Sequence, residues 1–283
     1  MKQFTKVELR EKLKKLSVPP PGIAYLLNMF GDENLSHTQL ANIIQQYPTI
    51  AVKLIALANS AWSSPVNAVE SLEDACARLG QKVVRSISIS LAISTPFNSS
   101  RCQAFDVERY LCSSMLTAEV SGKLATLTGY IEPQIACTGG LLHNLGLLLL
   151  ADLMPEATHT AIVVKQNDPD LSINEVLNHC CGIGYDEAGR LLGEALDLPS
   201  SLVNVLANHR LTKQIGENPG LVGIVNLGRE MVASHYRNEF YTPQQFSMPE
   251  FDINSDDQAS IFAQLENAYP RTREMVSTLT GVH

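Results

Sequence analysis

A histidine and a carboxamide sit side by side within an otherwise apolar run, Gly139, Gly140, Leu141, Leu142, His143, Asn144, Leu145, Gly146. An imidazole can ligate a divalent ion or carry a proton, and a neighbouring carboxylate would supply the anionic oxygen that such an ion selects. Asn144 offers a neutral amide instead. The other positions with reactive chemistry are Tyr185 followed by Asp186 and Glu187, His209 followed by Arg210, and Cys180 with Cys181 after His179. Each has a plain structural reading beside the chemical one. His143 can be buried and bonded to Asn144 or a neighbouring helix, and His209 can sit at a core edge on a backbone carbonyl. Adjacent cysteines diverge on a helix, which argues against a soft-metal cluster. Gly139, Gly140 and Gly146 read as points of close helix approach rather than a phosphate cradle. The chain contains no G-x-G-x-x-G, G-x-x-x-x-G-K-[ST] or G-x-S-x-G, so the nucleotide-dependent and esterase folds built on those motifs are not supported.

The elements that must position these residues are helices. Hydrophobic residues make up 45% of the 283 and aromatic residues only 6%, a balance that suits helix packing better than a sandwich. Leu40, Ile43, Ile44 and Tyr47 fall at i, i+3, i+4 and i+7 behind Ser36, a good N-cap. Pro48 can open the next helix, whose stripe is Ala51, Leu54, Ile55 and Ala58. Ser71 with Asp74, and Ser172 with Glu175, read as capping boxes. Further helices are expected over residues 82–94, 107–127, 133–153, from Pro155, from Ser172, over the stripe Ala188 to Ala195, from Pro199 to His209, and over 221–236. A loop over 238–252 and a closing helix over 255–268 complete the chain. Ahead of these come a basic amphipathic helix over residues 5–16, a stop at Pro19–Pro21 and a helix to Gly31. The break at Pro96, Asn98, Ser99 and Ser100 divides the chain into an N-terminal lobe, 1–100, and a C-terminal lobe, 101–283.

The formal charge is −8, from 21 basic and 29 acidic side chains, which disfavours non-specific attraction to nucleic acid or an anionic membrane. Residues 1–16 alone carry six basic and two acidic side chains, +4, and are expected to dock on the acidic remainder of the chain. The six cysteines include no C-x-x-C and read as reduced core residues of a cytoplasmic protein. No secretory signal is seen, and the uncharged stretch 135–151 reads as a buried helix rather than a membrane span.

Nearly the whole chain resembles the HDOD family, the HD-related output domains of bacterial signalling. The resemblance lies in the segments SVPPPGIAYLLNMF, IIQQYPTIAVKLIALANSAW and AVESLEDACARLGQKVVRSI, then ACTGGLLHNLGLLLL, GIGYDEAG, LDLPSSLVNVLANHR and IVNLGREMV. It implies an all-α, two-lobed protein whose C-terminal lobe is HD-like. In HD phosphohydrolases the metals are held by an early His, an adjacent His-Asp pair and a late Asp. Those positions map here onto Ser113, onto His143 with Asn144, and onto Arg229, so only one strong ligand remains. The family often has a His where Tyr185 stands and a His-His pair where His209 and Arg210 stand. At an effective dielectric near 20, a unit charge pair about 4 Å apart is worth on the order of 4 kcal/mol and a dication doubles that, so replacing Asp by Asn and adding Arg removes decades of metal affinity.

The sequence therefore leads us to expect a non-catalytic signalling module without a cofactor, recognising a protein partner or small effector. His143, Asn144, Tyr185 and His209 are the candidate cleft residues, and Trp62 is the candidate contact between lobes. The rival is a divergent metal-dependent phosphohydrolase that recruits Asp186, Glu187 and His209 around His143. A nucleic-acid regulator using the basic N-terminus is a weaker third. The oligomeric state is not legible.

Overall fold

The computed structural model describes residues 35–65, 67–95, 97–210, 218–237, 239 and 253–281. The helices expected over 5–16 and up to Gly31, and the loop over 240–252, lie outside these residues. Among the described residues every regular element is helical and no strand occurs. In chain order they are α1 (His37–Ile44), α2 (Pro48–Ala58), a 3-10 turn (Ala61–Ser63), α3 (Leu72–Leu79), α4 (Gln81–Ser94), a second 3-10 turn (Ser99–Arg101) and α5 (Val107–Thr128). There follow α6 (Pro133–Leu142), α7 (Leu145–Leu153), α8 (Pro155–Asn167), α9 (Ile173–Cys181), α10 (Tyr185–Ala195), α11 (Ser200–Asn208), α12 (Pro219–Tyr236) and α13 (Ser255–Thr280).

The local chemistry explains most boundaries. Ser36 closes a reciprocal capping box with Gln39, accepting from the Gln39 amide while the Gln39 side chain accepts from the Ser36 amide. Ser71 Oγ accepts from the Asp74 amide at 3.0 Å and donates to the Asp74 carboxylate at 2.6 Å, so the start of α3 is capped, though by a different bond pair from the one expected. The second expected capping box does not form. Ser172 makes no side-chain cap on α9, because its hydroxyl accepts instead from Arg210 Nη2 at 2.8 Å.

Two corrections concern the long helices. The run Pro133–Leu153 is two helices, because α6 ends at Leu142 and α7 starts at Leu145, with His143 and Asn144 at the break. A break there is what lets adjacent residues leave the roughly 100° divergence of a continuous helix. The closing helix does not stop at Ala268 but passes through Pro270 to Thr280. A proline interior to a helix costs one ladder bond, and here Thr272, Met275, Val276 and Leu279 bury a continuous stripe beyond it.

One buried apolar cluster includes Leu54 of α2, Ile87 of α4, Leu111 of α5, Leu149 of α7, Leu191 of α10 and Val276 of α13, and so joins helices on both sides of residue 100. A second packs Leu116, Val120 and Leu124 of α5 against Val225 and Met231 of α12 and Ile261 and Leu265 of α13. Helix α13 thus begins on α5 and α12 and ends on α2, where Lys53 Nζ donates to the Leu279 carbonyl at 2.5 Å. The stretch Pro133–Leu153 is long and apolar enough to cross a membrane, but 72% of its most apolar window is buried within the protein. All six cysteines are free thiols. Burial pushes the Cys76 and Cys181 thiols up to about 11, while neighbouring Cys180 lies half-buried on a diverging direction.

The glycines around the break carry backbone-to-backbone packing. A Cβ on Gly140 would stand 2.7 Å from the Thr117 carbonyl oxygen of α5, and one on Gly146 would stand 1.8 Å from the Tyr185 carbonyl oxygen and 2.4 Å from the Gly189 amide of α10. Backbone cannot swing aside as a side-chain tip can. Gly146→Ala is therefore expected to destabilise by at least the roughly 1–3 kcal/mol typical of overpacking, read as a lowered midpoint in urea unfolding. Gly139→Ala, whose added methyl meets only side chains, Val225 at 3.1 Å and Val205 at 3.5 Å, is expected to cost less. Equal stability of the two variants would contradict this packing.

Candidate functional site

The break between α6 and α7 and the C-terminus of α11 bring the expected cleft residues together. His143 is 3% exposed, Asn144 8%, Tyr185 6% and His209 0%, so this is a buried polar cluster rather than an open mouth. The His143 and His209 rings meet edge to face with centroids 5.3 Å apart, and the Tyr185 ring lies 5.6 Å from that of His209. Close contact of α10 on Gly146 is what carries Tyr185 to this place.

Hydrogen bonds fix the tautomers. His143 Nδ1 donates to the Gly140 carbonyl at 2.7 Å, and His209 Nδ1 donates to the Val205 carbonyl at 2.9 Å. His209 Nε2 is then the acceptor for the Tyr185 hydroxyl at 3.3 Å. Asn144 Oδ1 accepts from Ser114 Oγ at 3.0 Å, and Ser114 also reaches the Tyr110 carbonyl at 2.9 Å. The residue of α5 that meets the pair is therefore Ser114, which is 2% exposed, and not Ser113, which is half-buried one position earlier. A one-residue displacement rotates a helical side chain by about 100°, and in a Ser-Ser dipeptide the sequence gives no sign of which serine faces inward.

Arg229 enters the same region from α12. Its field acts on both imidazoles, and it is influenced in turn by Tyr185, Arg210 and Arg237. Its Nη2 pairs with Glu230 and donates to Asn226 Oδ1 at 3.2 Å, while its Nε is buried without a hydrogen-bond partner. Burial, reinforced by Arg210 and Arg237, holds its guanidinium below the usual value. Burial takes His143 down to about 4, with the Gly140 carbonyl opposing and Arg229 adding to the depression. His209 is held well below its ordinary value by burial first, then by His143 and Arg229, against the pull of the Val205 carbonyl.

This donor set does not fit a pair of divalent ions. The oxygen of Asn144 is neutral and engaged by Ser114, and the Arg229 guanidinium acts on both imidazoles with a positive field. Asp186 and Glu187 do not replace what is missing. Asp186 holds Asn174 Nδ2 at 2.7 Å, and Glu187 chelates Arg190 with both oxygens at 2.8 and 2.9 Å. Among the described residues no group of three His, Cys, Asp or Glu is arranged to hold a metal ion.

The open concavity lies elsewhere, over the 3-10 turn that follows α2. Asn59 pins this turn by giving Nδ2 to the Val69 carbonyl at 2.9 Å and taking the Val69 amide on Oδ1 at 2.7 Å. Trp62, expected between the lobes, is half-buried and donates Nε1–H to the Arg271 carbonyl of α13 at 2.8 Å. Trp62 lines a groove of about 660 Å³ together with Arg78, Glu119, Lys123, Gln264 and Arg271, and none of the four cleft residues borders it. Sequence reasoning had found Trp62 but not the two arginines, because they come from α3 and α13 and nothing in their local patterns sets them apart.

The HDOD domain description matches residues 16–211, more than half of the chain. The chain belongs to the HDOD family. No curated protein matches it significantly. Among solved structures it is similar to an HDOD domain protein of unknown function from Geobacter sulfurreducens, with 17% identity, coverage of 97% of this chain and 98% of that one, and a TM-score of 0.70. It is also similar to a candidate signal transduction protein from Marinobacter aquaeolei VT8, with 18% identity, a TM-score of 0.82, and coverage of 99% of this chain but only 62% of that longer one. A candidate phosphohydrolase from Shewanella amazonensis SB2B shares 22% identity over 96% of this chain and 97% of that one, with a TM-score of 0.71. At these identities the likeness establishes the all-helical HDOD fold.

The cluster at the HDOD chain's helix break has a pH signature. The unfolded His143 titrates near 6.5 and the folded one near 4, so below 6.5 the unfolded chain binds more protons and stability is lost as the pH falls. Its contribution, on the order of 3 kcal/mol, is fully present above about 6.5 and lost as pH drops toward 4. His209, Tyr185, Arg229 and Arg210 face the same space, and the depressed His209 acts with the same sign. Urea unfolding of the protein and of His143→Gln should show a stability gap that narrows from pH 7 to pH 4. A gap constant across that range would exclude a buried, neutral His143.

Proposed function

We propose that this protein is a non-catalytic regulatory module of signal transduction, acting in the cytoplasm by binding a protein partner or small effector. The observation that carries this reading is the cation Arg229 acting on His143 and His209 where a hydrolase of HD type needs an anionic ligand. Two neutral imidazoles, an engaged amide and a guanidinium repel a dication or hold it poorly, and phosphate-ester cleavage of this type needs the ion both to polarise the phosphoryl oxygen and to activate water. The burial of the cluster gives a second support, since only 3% of His143 is exposed to a substrate phosphate among the described residues. Among the structural neighbours, the Marinobacter protein is named for signal transduction, which agrees in kind. The Shewanella protein is named for phosphohydrolase chemistry, and the same fold serves both readings. With catalysis set aside, the Trp62 groove is the surface best suited to recognition.

Elemental analysis of the purified protein is expected to find iron, manganese and zinc well below stoichiometric. Supplemented with those metals and given a chromogenic phosphodiester, the protein should show the same background rate with and without His143→Ala. Stoichiometric metal, or turnover abolished by His143→Ala, would overturn the proposal in favour of a divergent phosphohydrolase.

A further inference from the structure

We propose that the groove beside Trp62 is a nucleotide site, with phosphate held between Arg78 and Arg271 and the base against the exposed part of the Trp62 indole. This rests on reading the chain as a recognition module and names the class of effector. The groove brings together three cations, Arg78, Lys123 and Arg271, and one anion, Glu119, a local +2 on a chain whose total is −8. Lys123 is already committed, to Glu119 at 2.6 Å and to Gln264 Oε1 at 2.8 Å. The arginines are not. Arg78 spends one N–H on the Ala58 carbonyl at 3.1 Å, and the Arg271 guanidinium lies 6.0 Å from the centre of the Trp62 ring. Neither has a carboxylate partner among the described residues, and both are exposed at the groove. Two guanidiniums, each with N–H donors beyond the one given to a carbonyl or the face laid over a ring, are suited to an oxyanion with several equivalent oxygens.

The indole supplies the second half of the ligand's shape. It is fixed at its nitrogen by the Arg271 carbonyl and carries the Arg271 guanidinium over one face, so its remaining exposed part offers a base a preset flat surface at little entropic cost. Gln264 and Asn267 at the rim provide amides able to read a base edge. The volume of about 660 Å³ falls within the roughly 300–1,000 Å³ usual for small-molecule sites, so a mononucleotide or a cyclic dinucleotide can be accommodated.

Trp62 is the only tryptophan in the chain, so intrinsic emission reports on this groove alone. The full-length protein is titrated with GMP, ATP, cyclic di-GMP and inorganic phosphate, with calorimetry in parallel. The expected result is saturable quenching by at least one nucleotide and none by phosphate. Arg78→Gln and Arg271→Gln should each weaken the calorimetric affinity by about tenfold or more, with unfolding midpoints unchanged. The inference is overturned if none of the three nucleotides binds at millimolar concentration, if phosphate matches them, or if binding is untouched in both variants. Release of free phosphate from a bound nucleotide would instead sink the non-catalytic reading and leave the site standing.

Discussion

Backbone packed directly on backbone at Gly140 and Gly146 is the constraint on which the C-terminal half depends. These contacts leave no room for a Cβ. They clamp α6 to α5 and α7 to α10, and the two helices they hold meet at His143 and Asn144. Everything about the polar cluster follows from that clamp. Tyr185 reaches His209 because the start of α10 sits on Gly146, and Ser114 reaches Asn144 because α6 is close enough to α5 for two short side chains to touch. Longer side chains at the glycines would separate these elements and admit water to groups now held neutral.

The fold was legible in the sequence because its signals are local. Apolar spacing, the Ser36 and Ser71 caps and the prolines at helix starts all act within a turn or two, and the structure uses each of them. Where the reading failed, a distant partner had intervened. Arg210 takes the Ser172 hydroxyl from a cap, burial of Met275, Val276 and Leu279 carries α13 past Pro270, and helix packing splits the run from Pro133 to Leu153. The site shows the same division. His143, Asn144, Tyr185 and His209 were recognisable and do converge, whereas the inward serine, the internal commitments of Asp186 and Glu187, and the presence of both Arg78 and Arg271 in one groove depend on tertiary geometry.

The electrostatics of the two regions are opposite in kind. In the cluster, burial keeps two imidazoles uncharged and Arg229 reinforces that state, so the charge there is internal and largely balanced by Glu230 and nearby dipoles. At the groove, Arg78 and Arg271 stand at the surface with carbonyl and ring contacts in place of carboxylates, while Lys123 is paired with Glu119. A buried charge arrangement of the first kind specifies structure, whereas an exposed one of the second kind steers and orients incoming anions.

Asn59 shows how such a surface can be kept in shape. Its single amide both gives and takes a hydrogen bond with Val69, as a neighbouring peptide unit would in a sheet, and so ties the chain at 59 to the chain at 69. The entropy of closing the hoop between them is met at its neck. The neck demands an amide, because aspartate could not donate and serine could not span both bonds.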